Sequence, residues 1–173
     1  CKAFGMDVSF YDPYKSNGSD LALGIKRVDS LEALFATCDI ITIHIPLSDE
    51  TQNLISADIL SHAKPGLVLI NAARGEVVDV DALFDALKTG QIGGAGLDVL
   101  PEEPSNMSHP LIAAWHAEED WIADRVLITP HSAFYTPQSL FDMRTKGITV
   151  ALKYLQTGRL ENCVNQEFIV NQR

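Results

Sequence analysis

Short, nearly continuous apolar runs, each closed by a turn residue, constrain the fold of this chain more than any other feature. Residues 39–45 read Asp-Ile-Ile-Thr-Ile-His-Ile and stop at Pro46. Residues 67–71 read Leu-Val-Leu-Ile-Asn and open into Ala72-Ala73-Arg74-Gly75. Further runs cover 94–99 and 126–129, the latter closed by Pro130. Strands that do not alternate apolar with polar residues belong to parallel sheets covered on both faces. Amphipathic stretches separate them. Ser30 caps a helix through Cys38, with Leu31, Leu34 and Phe35 on one face. A helix is predicted over 56–63, and Lys64-Pro65-Gly66 forms its turn. Asp79 caps the next helix, which turns Leu83, Phe84 and Leu87 inward and ends at Gly90. A long helix runs from about Pro137 to Thr157 and stops at Gly158. Shorter strands are predicted over 7–12, ended by Pro13, and over 25–28. Strands alternating with helices make this an α/β protein with a parallel sheet.

The chain has 173 residues, so one domain is expected, and its net charge is −10. That charge argues against nucleic acid and against an anionic membrane surface, which both require a basic face. No apolar run approaches the ~20 residues of a membrane span, and no signal peptide is expected. Cys1, Cys38 and Cys163 are scattered and odd in number, the pattern of reduced thiols in a cytoplasmic protein. Cys1-Lys2-Ala3-Phe4-Gly5 reads as the end of a helix with a glycine cap, so the chain is expected to begin inside a larger fold. Residues 101–125 are expected to be long and irregular, with Trp115, Trp121 and the acidic run Glu118-Glu119-Asp120. The tail, with Phe168, Ile169 and Val170, is expected to leave as an extended segment.

Three strand ends carry chemistry. Arg74 follows the run ending at Ala73, Glu103 follows 96–100, and His131 follows 126–130. In an open α/β sheet, ligands bind outside the carboxyl ends of the strands. Arg74 offers a planar fork for a carboxylate. An imidazole beside a carboxylate can take up and release a proton near neutral pH. Taken singly, each has a plain structural explanation: a surface arginine, a solvated glutamate, a strand-end histidine. Asp98, inside a buried run, needs a partner, either a neighbouring donor or a cofactor amide. Asp12, at the end of an early strand, can accept hydrogen bonds from a ribose diol and repel a 2′-phosphate. Equally, it is a turn aspartate before Pro13, and Lys15 weakens the exclusion. Ala72 and Ala73 are small enough to let a cofactor lie close to the backbone. His44 reads as a wall of that cleft. His109, His116 and the acids at 118–120 match no metal spacing, so no metal is expected. Gly90, Gly93, Gly94 and Gly96 precede a strand rather than follow one, so they read as close helix–strand packing and not as a dinucleotide fingerprint.

Taken in order, Tyr11-Asp12-Pro13-Tyr14, His44-Ile45-Pro46-Leu47, Asn71-Ala72-Ala73-Arg74-Gly75, Gly94-Ala95-Gly96-Leu97-Asp98-Val99 with Glu103-Pro104, and Thr129-Pro130-His131 resemble the NAD-binding domain of the D-isomer-specific 2-hydroxyacid dehydrogenases. The resemblance runs from Cys1 to about Asn165. It implies a Rossmann-like doubly wound parallel sheet lacking its first strand and glycine-rich turn. Residues 1–160 would be a partial NAD-binding domain, and 161–173 would lead back toward a substrate domain. It further implies that Arg74 binds the substrate carboxylate, that His131 donates and accepts the proton, and that Glu103 orients and charges His131. Asp98 would contact the nicotinamide carboxamide and Asp12 the adenosine ribose. Ile45, Pro46, Ala72 and Ala133 would line the cofactor cleft with His44, Ala73, Arg74 and His131 beside them, and Thr51 looks like the family's threonine after that wall. The implied reaction is hydride transfer between NAD(H) and a D-2-hydroxy or 2-keto acid, in a protein that is a homodimer at full length. The corepressor branch of the same group, a dinucleotide-sensing interaction module, is the alternative. It keeps the Arg–Glu–His trio but places tryptophan where Phe134 stands. An inactive truncated domain is the third reading.

No glycine-rich turn follows a strand in this sequence. The strands ending near Asp12 and near His44 should therefore lack a shared neighbour. The 173-residue chain is expected to bind NAD weakly or not at all and to be inactive alone.

Overall fold

The computed structural model describes residues 1–166, which fall into two compact units, Cys1–His131 and a second from Ser132 onward. The first unit carries, in order, β1 (Ser9–Phe10), α1 (Ser19–Leu23), β2 (Lys26–Arg27), α2 (Leu31–Thr37), β3 (Ile40–Ile43), α3 (Ala57–Ser61), β4 (Leu67–Asn71), α4 (Val80–Thr89), β5 (Ile92–Leu97), α5 (Pro110–His116) and β6 (Val126–Ile128). Single 3-10 turns occupy Lys2–Phe4 and Gly75–Val77. The second unit is built on α6 (Pro137–Thr157). The expected extended tail through Phe168, Ile169 and Val170 lies outside the described residues.

Every strand pairing is parallel. β3, β4, β5 and β6 form one sheet in that order, and β1 pairs with β2 in a separate two-stranded sheet. Among the described residues, β1 has β2 as its one partner and β3 has β4. A strand with one partner keeps fewer ladder bonds. The run expected over 7–12 is accordingly strand only at Ser9–Phe10, and the run over 39–45 only at Ile40–Ile43.

The core lies on one face of the larger sheet. Ile41, Leu69, Ala95 and Val126 stand abreast across the four strands and are buried. Phe35 of α2, Leu60 of α3, Leu83 and Leu87 of α4 and Leu111 of α5 complete the same cluster. The opposite face departs from the expected two-sided cover. Ile40 is 51%, Ile70 36% and Leu127 66% exposed. The continuous apolar runs encode burial of both faces, and within the first unit one face is filled.

Local chemistry sets the helix ends. The Ser30 hydroxyl accepts from Ala33 N–H, and the Asp79 carboxylate accepts from Ala82 N–H. Gly90 closes α4 in the left-handed region at φ 81°. In the second unit, Thr136 and Ser139 form a reciprocal capping box and Gly158 closes α6.

Two expectations are corrected. Residues 101–125 are not irregular throughout, because α5 forms within them and buries Leu111, Ile112 and Ala114. Pro110 stands in the first turn, and His109 caps it by accepting Leu111 N–H at Nδ1. Gly93 and Gly94, inside β5, serve backbone approach rather than helix packing. A Cβ at Gly93 would lie 2.4 Å from the Gly66 carbonyl oxygen, and one at Gly94 would lie 2.8 Å from that of Arg125.

Arg125 ties this side together. Its Nε donates to Gly93 O, its Nη1 to Trp121 O, and its Nη2 to Leu87 O and Ile92 O, all at 2.7–2.9 Å. One guanidinium thus joins the end of α4, the start of β5 and the loop before β6. Arg125→Met should lower unfolding stability by about 2–4 kcal/mol, since partly buried carbonyls lose a charged donor. A urea titration with an unchanged midpoint would contradict this role.

Candidate active site

β4, β5 and β6 are adjacent and parallel, so their carboxyl ends share one edge. Arg74, Glu103 and His131 follow those three strands in turn. Glu103 and His131 meet directly, with His131 Nδ1 2.7 Å from Glu103 Oε2. The other carboxylate oxygen, Oε1, accepts Leu100 N–H at 3.1 Å. Glu103 is therefore held at both oxygens and aimed at the imidazole. The hydrogen bond from His131, helped by the Leu100 amide and by the imidazole's charge, holds the Glu103 carboxyl below the usual carboxylate range, with partial burial opposing.

His131 sits at φ 50°, in a region few non-glycine residues adopt. Its backbone N–H is held by Asp98 O at 2.8 Å and by Thr129 O at 3.0 Å. The Asp98 carboxylate accepts the Thr129 hydroxyl at 2.5 Å, so a neighbouring donor meets the need of this buried acid. β5 and β6 are thereby laced together immediately beneath the imidazole.

Arg74 is exposed, and its Nη1 donates to Ala73 O. Its turn lies against the loop that carries Glu103. A Cβ on Gly75 would fall 2.0 Å from Leu100 C and 2.4 Å from Pro101 N, so only glycine permits this approach. Asn71, 1% exposed, spans the turn: Oδ1 accepts Ala73 N–H at 3.0 Å, and Nδ2 donates to Arg74 O at 2.9 Å.

The remaining expected residues lie along the same edge or beyond it. Thr51 Oγ1 donates to Pro46 O at 2.7 Å and accepts Ser48 N–H at 2.8 Å, which pins the loop after Ile45 and Pro46. His44 Nε2 bonds the Thr42 hydroxyl at 3.0 Å. Ala72 is exposed and Ala73 half-buried. Asp12 Oδ1 accepts Tyr14 N–H at 2.9 Å, a turn role, while Arg27 holds its carbonyl. Tyr14 hydroxyl also donates to Glu50, linking the loop after β1 to that after β3. Ala133 belongs to the second unit. The sequence reading missed the Asn71 brace, although an asparagine opening a turn of small residues is a known signal. It also missed Thr129 as the partner of Asp98. No cluster of three or more potential metal ligands exists among the described residues. His109 instead pairs with Asp81 at 3.1 Å, and Glu119 accepts the Trp121 indole N–H at 2.7 Å.

Residues 1–133 match the family described as D-isomer specific 2-hydroxyacid dehydrogenase, NAD binding domain. The chain belongs to that family. Against a D-3-phosphoglycerate dehydrogenase of Haemophilus influenzae it is 37% identical over 165 residues, covering 95% of this chain and 38% of the relative. The chain also resembles solved dehydrogenase structures. A D-lactate dehydrogenase from Aquifex aeolicus, complexed with NAD and lactic acid, has a TM-score of 0.75 at 36% identity, covering 90% of this chain and 48% of that one. A glyoxylate reductase from Paecilomyes thermophila has a TM-score of 0.81 at 27% identity, covering 96% and 47%. The chain thus spans less than half the length of these relatives. Among the described residues, no helix is long and apolar enough to cross a membrane.

A carboxyl with a depressed native pKa adds stability above its ordinary value of about 4.3, and that stability is lost as pH falls through the native value. The Glu103 carboxyl should therefore titrate below the ordinary range in a carbon-detected NMR titration. His131→Ala should return it toward normal. An unshifted Glu103 in the unsubstituted protein would break the link between the pair and its charge state.

Proposed function

We propose that this domain belongs to an oxidoreductase that transfers a hydride between NAD(H) and a small D-2-hydroxy or 2-keto acid. The observation that carries the reading is the Glu103–His131 hydrogen bond at 2.7 Å, formed across adjacent strand ends beside the turn of Arg74. Proton transfer and carboxylate recognition are thereby offered to one substrate.

The residues present fit the two ends of the cofactor. Asp12, after β1, suits a ribose diol, and Asp98, after β5, suits an amide. Ala72 and Pro46 are exposed, and Thr51 pins the loop after Pro46. Nothing in this sequence supplies a glycine-rich pyrophosphate turn. When bound, NAD(H) supplies or takes up the hydride.

The chain's own residues do the rest. Arg74 binds the substrate carboxylate through two parallel N–H donors and polarises the carbonyl beside it. Glu103 engages Nδ1 of His131, so the proton exchanged with substrate is the one on Nε2. In reduction His131 gives that proton to the developing alkoxide, and in oxidation it takes the hydroxyl proton. The Glu103 carboxylate stabilises the imidazolium between those events. Free Cys1, Cys38 and Cys163 accord with a cytoplasmic setting, and a homodimer of the full-length protein is part of the same reading.

The test is turnover of a panel of small 2-keto acids with NADH by the full-length polypeptide. His131→Asn should reduce kcat by roughly 10²–10⁴-fold. Arg74→Lys should act mainly on KM, because a point charge does not replace the planar fork. Full activity in both variants would defeat the assignment. The 173-residue chain alone should show weak or no NAD binding by calorimetry.

A further inference from the structure

We propose that Asn71 is a positioning residue, whose side-chain amide sets the conformation of the Ala72–Arg74 turn and so the place from which Arg74 reaches substrate. The inference rests on the reading of Arg74 as the carboxylate anchor. Asn71 is the last residue of β4 and is 1% exposed, yet it is the most polar side chain on the buried face of that strand. Buried amides persist where both ends are bonded. Both ends of this one go to the same turn, to Ala73 N–H and to Arg74 O. Flipping the amide would set NH2 against N–H and oxygen against carbonyl, so only one orientation satisfies the turn.

The brace works from inside the core while Arg74 projects outside it. Asn71 also fixes the neighbouring strand through its backbone, since its carbonyl accepts Asp98 N–H at 2.9 Å. One residue therefore contacts both the turn of Arg74 and the strand end leading to Glu103. Gly75, pressed against Leu100, closes the same turn from the other side. A leucine would fill the space of Asn71 and satisfy the sheet. It would leave Ala73 N–H and Arg74 O without partners and release the turn.

The experiment uses the full-length protein with Asn71→Ala, Arg74→Ala and the double variant. Asn71→Ser, which can reach Ala73 N–H but not Arg74 O, is carried alongside in case the alanine variant misfolds. Asn71→Ala should lower kcat/KM by about 10–100-fold, chiefly through KM, the scale set by small misplacements of a binding group. In the Arg74→Ala background the same change should cost less than about threefold, because the two residues act as one unit. Hydrogen exchange at the Ala73 amide should quicken while that at Asp98 is retained. Equal losses in both backgrounds, an unchanged KM, or an Ala73 amide still protected would overturn the inference. If the unsubstituted protein reduces no 2-keto acid, the functional reading fails, and the Ala73 and Asp98 exchange pattern decides the brace by itself.

Discussion

The backbone approach between Gly75 and Leu100 is the constraint on which the site depends. Arg74 and Glu103 lie on loops after different strands, and side chains alone would let those loops drift. With no Cβ at Gly75, the two backbones touch. The contact sets the cation's turn against the loop whose Leu100 amide also holds Glu103. A loop bonded to its own glutamate side chain and wedged against its neighbour has little freedom left. That is the preorganisation that the proposed proton transfer and carboxylate recognition would require.

Charge adds a second constraint. The chain carries a net charge of −10, an unpromising background for the anionic substrate proposed. A local solution answers it. Glu103 directs one oxygen to His131 and the other to a backbone amide, so its charge is absorbed by donors that are already in place. Asp98 is absorbed in the same manner by Thr129. Arg74, in contrast, bonds only a backbone carbonyl among the described contacts, which suits the anion-binding role proposed for it. Glu103 and Asp98 are thus occupied by donors, while Arg74 spends one donor on a carbonyl.

Much of this was legible in the sequence. The apolar runs gave the larger sheet, and Ser30, Asp79, Gly90 and Gly158 marked helix ends by capping chemistry that acts within one turn. The trio was legible because strand ends in a parallel sheet face one way. What failed depended on partners distant in sequence. α5 was hidden because its cap is a histidine, an uncommon choice whose fitness rests on Asp81 28 residues earlier. Burial on both faces was overread, because a run of apolar residues records a strand's needs and not which neighbours are in place. Thr129 is not legible as the partner of Asp98, because the two follow different strands and meet only through the β5–β6 register.

That register is itself decided far from the chemistry. Leu67 pairs with Ile92, but Val68 pairs with Gly94, so β5 carries one extra residue at Gly93. Side chains alternate with a period of two, so a single inserted residue exchanges the faces of everything beyond it. With the bulge, Leu97 stands opposite Asn71, and Leu69 opposite Ala95, all on the buried face. Without it, Gly96 would take that place, Leu97 would turn away from the core, and the path to Asp98 and Glu103 would leave on the wrong side. The bulge needs the Gly93 backbone against the Gly66 carbonyl, closer than any Cβ allows. Arg125 holds the carbonyl of Gly93 itself. The alignment of a candidate catalytic glutamate with its histidine therefore begins at the opposite end of β5, where a glycine makes room for one residue more.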